Sequence, residues 1–189
     1  GLNNVRQGVE NRDQNYPARA GKGSAFMGGV REPMMVYWPG VTRPGTECAQ
    51  RVIIEDFYPT ILEMAGVKSY KTRQVIDGVS FAEHRINPDR TLIWHFPNLW
   101  GETQNKEEGY GAYSAILKGD YHLIYTWETR QLRLYNVKED IGEQNDLAQS
   151  MPDKVKELAK ELSDYLRARD AQRPTLIQTN SLIPYPDEK

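Results

Sequence analysis

Apolar positions in the first half of the chain form two patterns. A short, aromatic-rich apolar run at residues 34–38, bounded by prolines, predicts a buried strand. Residues 57–65 repeat apolar side chains at helical spacing, which predicts a short helix that packs on a core. Asp56 is its candidate N-cap, Pro59 lies in the first turn, where no N–H is needed, and Gly66 is the predicted stop.

The second half has the pattern of a small antiparallel sheet followed by a helix. Four short runs of strand character are separated by turns, at 91–96, 112–117, 121–127 and 132–136. Apolar residues then recur at helical spacing between 155 and 166, after Ser150 as a candidate N-cap and Pro152 as an early proline. The apolar face of this helix is expected to cover the sheet. Residues 174–189 contain three prolines and are predicted to lie extended on the surface.

Charge and cysteine content exclude several classes of function. The 189 residues carry 24 basic and 26 acidic side chains, so no basic face is implied and nucleic acid is not an expected partner. No apolar run approaches the roughly 18 residues of a membrane span, so no membrane partner is predicted. The single cysteine, Cys48, excludes an internal disulfide and a multi-cysteine metal site. We predict that Cys48 is a buried or half-buried structural thiol.

Glycines and cations precede the apolar run at 34–38. Four glycines accompany Lys22 and Arg31 between residues 21 and 31. Glycine lets a backbone approach a ligand closely, so this loop is able to place positive charge beside a bound oxyanion. Composition alone leaves the alternative open that both cations are solvated residues of an ordinary surface loop.

The glycine-rich stretch and later landmarks resemble the C-terminal half of the sulfatases, which belong to the alkaline-phosphatase-like superfamily and include the arylsulfatases. The landmarks follow the family's order over nearly the whole chain. They are Gly21-Lys22-Gly23-Ser24, Gly28-Gly29-Val30-Arg31-Glu32-Pro33, Trp38-Pro39-Gly40, Asp56-x-x-Pro59-Thr60-Ile61-Leu62, Asp77-Gly78-Val79-Ser80, Trp94-His95-Phe96-Pro97, Ser114 to Tyr121, Leu134-Tyr135-Asn136 and Asp140-x-Gly142-Glu143.

The resemblance implies a fold class and a domain organisation. The class is α/β, with α+β character in the C-terminal part. Residues 1–90 are expected to be the C-terminal part of the sulfatase catalytic domain, which ends an alkaline-phosphatase-like mixed sheet. Residues 91–173 are expected to be a C-terminal subdomain in which a small antiparallel sheet is packed by a long C-terminal helix, and 174–189 an extended tail.

The resemblance also implies an activity, the hydrolysis of sulfate esters, with sulfated sugars as candidate substrates. Sulfatases use a formylglycine made from Cys or Ser in a [CS]-x-P-x-R motif, and a divalent cation, usually calcium, that orients the sulfate. Cys48 lies outside such a motif, and the family's Asp-Asn metal pair would precede Gly1. We therefore expect no nucleophile and no metal ligand in this chain, and no turnover by the chain alone. Family members are generally exported, either periplasmic or secreted, or lysosomal.

Three residues match the family's functional positions. Lys22 matches the lysine that contacts the sulfate, and His95 lies where several members place a substrate-facing histidine. Arg31 matches the arginine of the glycine-rich loop, which implies substrate binding or an anchoring role. The alternatives are a solvated lysine for Lys22 and a hydrogen-bonded core histidine for His95.

Two other functions stay open at this point. One is a non-catalytic binding or assembly module, in which an exposed sheet edge favours self-association. The other is a phosphate or phosphonate ester hydrolase of the same superfamily, because the fold does not determine the function.

Overall fold

The computed structural model of the chain describes residues 15–82, 86–99 and 106–189. The chain divides into two compact units, one formed by residues 15–34 with Thr91–Lys189 and the other by Met35–Arg90. The predicted division into 1–90, 91–173 and 174–189 follows the family's domains and stays a prediction. The fold is mixed α/β, with a four-stranded antiparallel sheet and a C-terminal helix.

The first unit is built around the sheet, whose strands follow one another in the order β1-β2-β3-β4. The predicted meander is confirmed, and strand bounds differ from the predicted ones by one residue at most. Gly119 has a φ of +55° in the tight turn between the second and third strands. The strands are β1 Leu92–Phe96, β2 Tyr113–Lys118, β3 Tyr121–Thr126 and β4 Gln131–Asn136.

One face of the sheet packs against the long helix α3, Pro152–Ala168. Helix α3 begins with the predicted early proline, but Ser150 is not its cap. The N-cap position is Met151, and the Ser150 hydroxyl donates a hydrogen bond to the Leu147 carbonyl at 3.1 Å. The core of this face joins strand residues to helix residues, among them Ile116, Leu123, Leu134, Leu158, Leu162 and Leu166.

The opposite face of the sheet is covered by the glycine-rich segment. Arg133 and Tyr135 alternate with Leu134 along β4, so their side chains point away from α3. The buried ring of Phe26 contacts the Tyr135 ring edge-on at 5.7 Å, and the Arg133 guanidinium lies 4.9 Å from its centroid. The short helix α1, Met27–Val30, follows directly. The sheet therefore lies between α3 and the segment that contains Lys22.

The tail at 174–189, which the sequence predicts to be extended, packs back on the unit. Thr175 pairs with Leu182, and Ile183 is buried in the core beside α3. A 3-10 helix, Pro186–Glu188, lies near α3, where Arg167 donates hydrogen bonds to the carboxylates of Asp187 and Glu188.

Among the described residues of the second unit, Met35–Arg90, there is one α-helix, α2, Phe57–Met64, which follows a 3-10 turn, Ile54–Asp56. Asp56 precedes α2 as predicted, but its side chain caps no helical N–H. The buried carboxylate instead accepts hydrogen bonds from the backbone N–H groups of Ile53 and Val79 at 2.9 and 2.8 Å, and forms an ion pair with Arg90 at 2.7 Å. Asp56 therefore ties together three separate parts of the unit. Gly66 follows α2 with a φ of +77°, as a helix stop requires.

Several predictions for the second unit are wrong. Residues 34–38 form no strand and are mostly exposed, with Met35 98% exposed. A strand needs a neighbour for its backbone N–H and C=O groups, and no described segment pairs with this one. Ile61 of α2 is 58% exposed, so α2 does not bury the predicted apolar face. Cys48 is exposed rather than buried. No helix in the described part of the chain has the length and apolar character to cross a membrane.

Candidate functional site

Lys22 is an exposed residue in a segment that is otherwise largely buried. Gly21 and residues 24–28 are buried, whereas the Lys22 side chain is accessible to solvent. Gly23, with a φ of +94°, provides the left-handed turn directly after Lys22. The loop therefore presents a cation at the surface while its neighbours pack against the protein.

Hydrogen bonds hold this loop on both sides of Lys22. The Ser24 hydroxyl donates to the carbonyl of Glu108 at 2.6 Å, and the Ala25 N–H donates to the carbonyl of Gly109 at 2.9 Å. The Gly28 N–H donates to the carbonyl of Arg19 at 2.9 Å. A charged group carried on such a supported loop is preorganised, because its backbone does not have to be ordered when a ligand binds.

Gly28 and Gly29 serve internal packing. A Cβ at Gly28 would overlap the carbonyl oxygen of Arg19, and a Cβ at Gly29 would overlap that of Ser24. The sequence interpretation places these glycines beside a ligand, but at these two positions the close approach is between two stretches of the protein's own backbone.

Arg31 is also exposed and follows α1 directly. Its backbone N–H donates to the carbonyl of Met27 at 2.8 Å and ends the helix. Arg31 and Lys22 thus belong to one segment on one face of the sheet. The predicted choice between substrate binding and anchoring for Arg31 stays a prediction.

His95 of β1 lies on the opposite face of the sheet, toward α3. Its Nδ1 accepts a hydrogen bond from the Ser114 hydroxyl at 2.7 Å, and its Nε2 donates to the carbonyl of Gln172 at 2.8 Å, a tautomer assigned from these partners. The Ser114 oxygen in turn accepts from the indole N–H of Trp127 at 2.9 Å. Burial lowers the pKa of His95, although the bond to Gln172 acts in the opposite direction.

This environment fits the alternative of a hydrogen-bonded structural histidine. A substrate contact by His95 would require one of its two ring bonds to break, and that contact stays a prediction. The structure places Lys22 and Arg31 in the segment on one face of the sheet and the His95 ring on the other face.

A buried polar network contacts residues 21–29, which we call the Lys22 loop, and the sequence did not predict it. Glu143 and His122 are fully buried. One carboxylate oxygen of Glu143 accepts from His122 Nδ1–H at 2.6 Å, and the other accepts from the Met27 N–H at 2.6 Å. Only the landmark Asp140-x-Gly142-Glu143 drew attention to this carboxylate. Its partners lie 21 and 116 residues away in the sequence, so no local pattern connects them.

Candidate metal ligands are not grouped in the described residues. Within 15–82, 86–99 and 106–189, no three His, Cys, Asp or Glu side chains are arranged to hold a metal ion. The expectation that the metal ligands of the intact enzyme lie outside this chain stays a prediction.

Comparison with known proteins connects the chain to the sulfatases. Residues 22–172 match the family model described as N-sulphoglucosamine sulphohydrolase, C-terminal. A sulfatase from Formosa agariphila is 33% identical, over 91% of this chain and 33% of the relative. The N-acetylgalactosamine-6-sulfatase of Mus musculus is 42% identical over 44% of this chain and 16% of the relative.

A solved structure shows the same architecture. It is that of Ps i-CgsB in complex with k-i-k-neocarrahexaose, which is 25% identical with a TM-score of 0.63 over 80% of this chain and 32% of that one. The chain thus spans about a third of the length of the first curated relatives it matches.

Proposed function

Since the chain belongs to the family described as N-sulphoglucosamine sulphohydrolase, C-terminal, we propose that it is the C-terminal portion of a sulfatase that hydrolyses sulfate esters of sugars. The substrate class is supported by the sugar names in the family description and in the mouse relative, and by the neocarrahexaose of the similar solved structure. The observation that carries the proposal is the exposed Lys22 on a loop whose neighbouring residues are buried and hydrogen-bonded.

In this proposal Lys22 contacts the sulfate. During hydrolysis, negative charge is redistributed between the sulfate oxygens and the departing ester oxygen. A positioned ammonium group stabilises this charge without reorganisation of the site. Arg31, exposed on the same segment, binds substrate by its charge. His95 binds substrate only if it gives up the Gln172 carbonyl or the Ser114 hydroxyl.

The remaining chemistry is assigned to other parts of the intact enzyme. A formylglycine held there would supply the nucleophile for attack on sulfur, and a bound calcium ion would supply the charge that orients the sulfate. The residues of this chain hold the loop, present positive charge and bind the sugar-bearing side of the substrate.

The proposal is tested by replacing Lys22 in the full-length sulfatase. Lys22→Ala is expected to lower kcat for an aryl sulfate by about 10²- to 10³-fold, as for the loss of one charge-stabilising donor. Lys22→Arg retains the charge and is expected to recover part of the rate. Lys156→Ala, which removes an exposed lysine from α3, is the matched control and is expected to leave kcat unchanged. An unchanged kcat in Lys22→Ala would remove Lys22 from the site.

The same activity assay is also carried out on the 189-residue chain by itself. The purified 189-residue chain is expected to give no turnover of an aryl sulfate, with or without added calcium. Metal-dependent turnover above that of Lys22→Ala would contradict the assignment of nucleophile and metal to other parts. Binding of a sulfated sugar by the full-length protein without hydrolysis would favour a binding module, and turnover of a phosphate ester alone would favour the other hydrolase class.

A further inference from the structure

The buried carboxylate of Glu143 joins the Lys22 loop to the sheet. We propose that Glu143, held by His122, is a positioning residue that fixes the Lys22 loop, so that sulfate contact by Lys22 depends on it. This inference rests on the function proposed above. Glu143 itself is fully buried and has no access to substrate.

The two carboxylate oxygens of Glu143 have separate partners. One accepts from the Met27 N–H in the loop segment, and the other from His122 Nδ1–H on β3, both at 2.6 Å. Burial of a carboxylate is unfavourable unless both oxygens accept hydrogen bonds, so the side chain favours the arrangement in which loop and strand are both in place. His122 is also in contact with the Trp94 ring at 5.9 Å, which restricts the imidazole.

The backbone of Glu143 adds a second connection to the loop. Its carbonyl accepts from Arg19 Nη1 at 3.0 Å, and Arg19 Nη2 pairs with the Glu108 carboxylate at 3.1 Å. The carbonyl of Glu108 accepts from Ser24, and the carbonyl of Arg19 accepts from Gly28. Loop, Arg19, Glu108 and Glu143 therefore form a closed set of hydrogen bonds.

The backbone of Glu143 has a conformation that is uncommon for a residue with a side chain. Glu143 has a φ of +50°, in the left-handed region that favours glycine or asparagine. A glutamate persists there only where the surroundings determine it. Gly142 precedes it, so a more permissive residue is adjacent, yet the carboxylate occupies the left-handed position.

The effect of Glu143 is expected to be local to one face of the sheet. Its contacts lie on the side covered by the Lys22 loop, whereas the apolar core with α3 lies on the other side and does not include Glu143. Two glycines flank Lys22, and the loop lacks a stiff element of its own there, so its position depends on such anchors.

Hydrogen exchange in the full-length enzyme tests the anchor independently of activity. Glu143→Ala is expected to accelerate exchange of amides in residues 21–29 at least tenfold, with residues 158–166 of α3 unchanged. Glu143→Gln is expected to have a smaller effect, because its amide oxygen still accepts from Met27, and it carries the test if the alanine variant does not fold. Glu139→Gln, the same change at an exposed carboxylate four residues away, is the control. Equal acceleration in both regions, or none in the loop, overturns the proposal.

A double-mutant cycle tests the link to Lys22. Glu143→Ala is expected to lower kcat at least tenfold in the enzyme that retains Lys22, and less than twofold further in the Lys22→Ala enzyme, because coupled residues are not additive. Full additivity overturns the link. If Lys22→Ala itself leaves kcat unchanged, the proposed function of Lys22 fails, and the exchange experiment shows separately whether Glu143 anchors the loop.

Discussion

The two compact units bury their apolar residues to very different extents. In the first unit, the sheet is covered on one face by α3 and on the other by the glycine-rich segment, and Ile116, Leu123 and Leu162 are fully buried. In the second unit, Met35 and other large apolar side chains are exposed. The difference arises because the sheet satisfies its own backbone hydrogen bonds and offers two faces, whereas the described elements of the second unit are a 3-10 turn and the short helix α2.

The comparison shows where the candidate site obtains its support. Lys22, Arg31 and His95 all belong to the first unit. The apolar run at 34–38 begins three residues after Arg31 in the sequence and forms no strand. Support comes from β3, β4 and Glu143, about a hundred residues later, by contacts such as those of Phe26 with Tyr135 and Met27 with Glu143.

The two units also differ in the interactions that stabilise them. The first is stabilised by an apolar core, whereas the second is joined by the buried Asp56 carboxylate and its ion pair with Arg90. A buried ion pair contributes little net stability compared with apolar packing, but the loss of one partner leaves the other charge unpaired.

Truncation of a core residue should distinguish the units most strongly. Leu162→Ala in α3 is expected to lower the free energy of unfolding by about 2–5 kcal/mol, because it leaves a cavity in a close-packed core. Ile61→Ala in α2 is the matched change at an exposed helical position and is expected to cost no more than about 0.5 kcal/mol. Urea unfolding followed by circular dichroism measures both. Similar losses would contradict the difference in burial.

Loss of the ion pair between Asp56 and Arg90 should lower the stability of the second unit alone. Asp56→Ala is expected to destabilise it by about 3 kcal/mol, because it leaves Arg90 unpaired and two N–H groups without an acceptor. Hydrogen exchange at α2 and Val79, compared with the strands, measures this loss. Asp164→Ala removes an exposed carboxylate from α3 and serves as the control, with an expected effect below about 0.5 kcal/mol. Equal acceleration of hydrogen exchange in the strands would show that Asp56 does not stabilise the second unit specifically.

The smallest expected effect is the pH dependence contributed by His95. Its pKa in the folded protein is lowered from the ordinary value of 6.5 by burial, so folding favours the neutral ring. This contribution to stability is fully present above pH 6.5 and is lost as the pH falls through the lowered pKa. Urea midpoints between pH 7.5 and 5 should therefore decrease more in the wild type than in His95→Gln. Parallel curves for the two proteins would show that His95 does not contribute.

The sequence predicted part of the candidate site and missed the rest for an identifiable reason. The glycines and cations around Lys22 are neighbours in the chain, so their pattern is visible. Glu143, His122 and Met27 meet only through folding, and nothing in the residues beside Glu143 distinguishes a buried acceptor from a solvated carboxylate. His95 was visible as a candidate, but its bonds to Ser114 and Gln172 were not.

Patterns among neighbouring residues were sufficient to predict the strands of the sheet and helix α3. Strand alternation, the turn at Gly119 and the helical spacing from 155 to 166 act over a few residues, and the corresponding elements formed within a residue or two of their predicted starts. Long-range contacts determined the rest. The glycine-rich segment packs on the second face of the sheet, and the Asp56 side chain bonds to distant groups instead of capping α2. Residues 34–38 pair with no described strand. The physical reason is that backbone period and turn chemistry are encoded by neighbouring residues, whereas burial depends on a partner surface from any part of the chain.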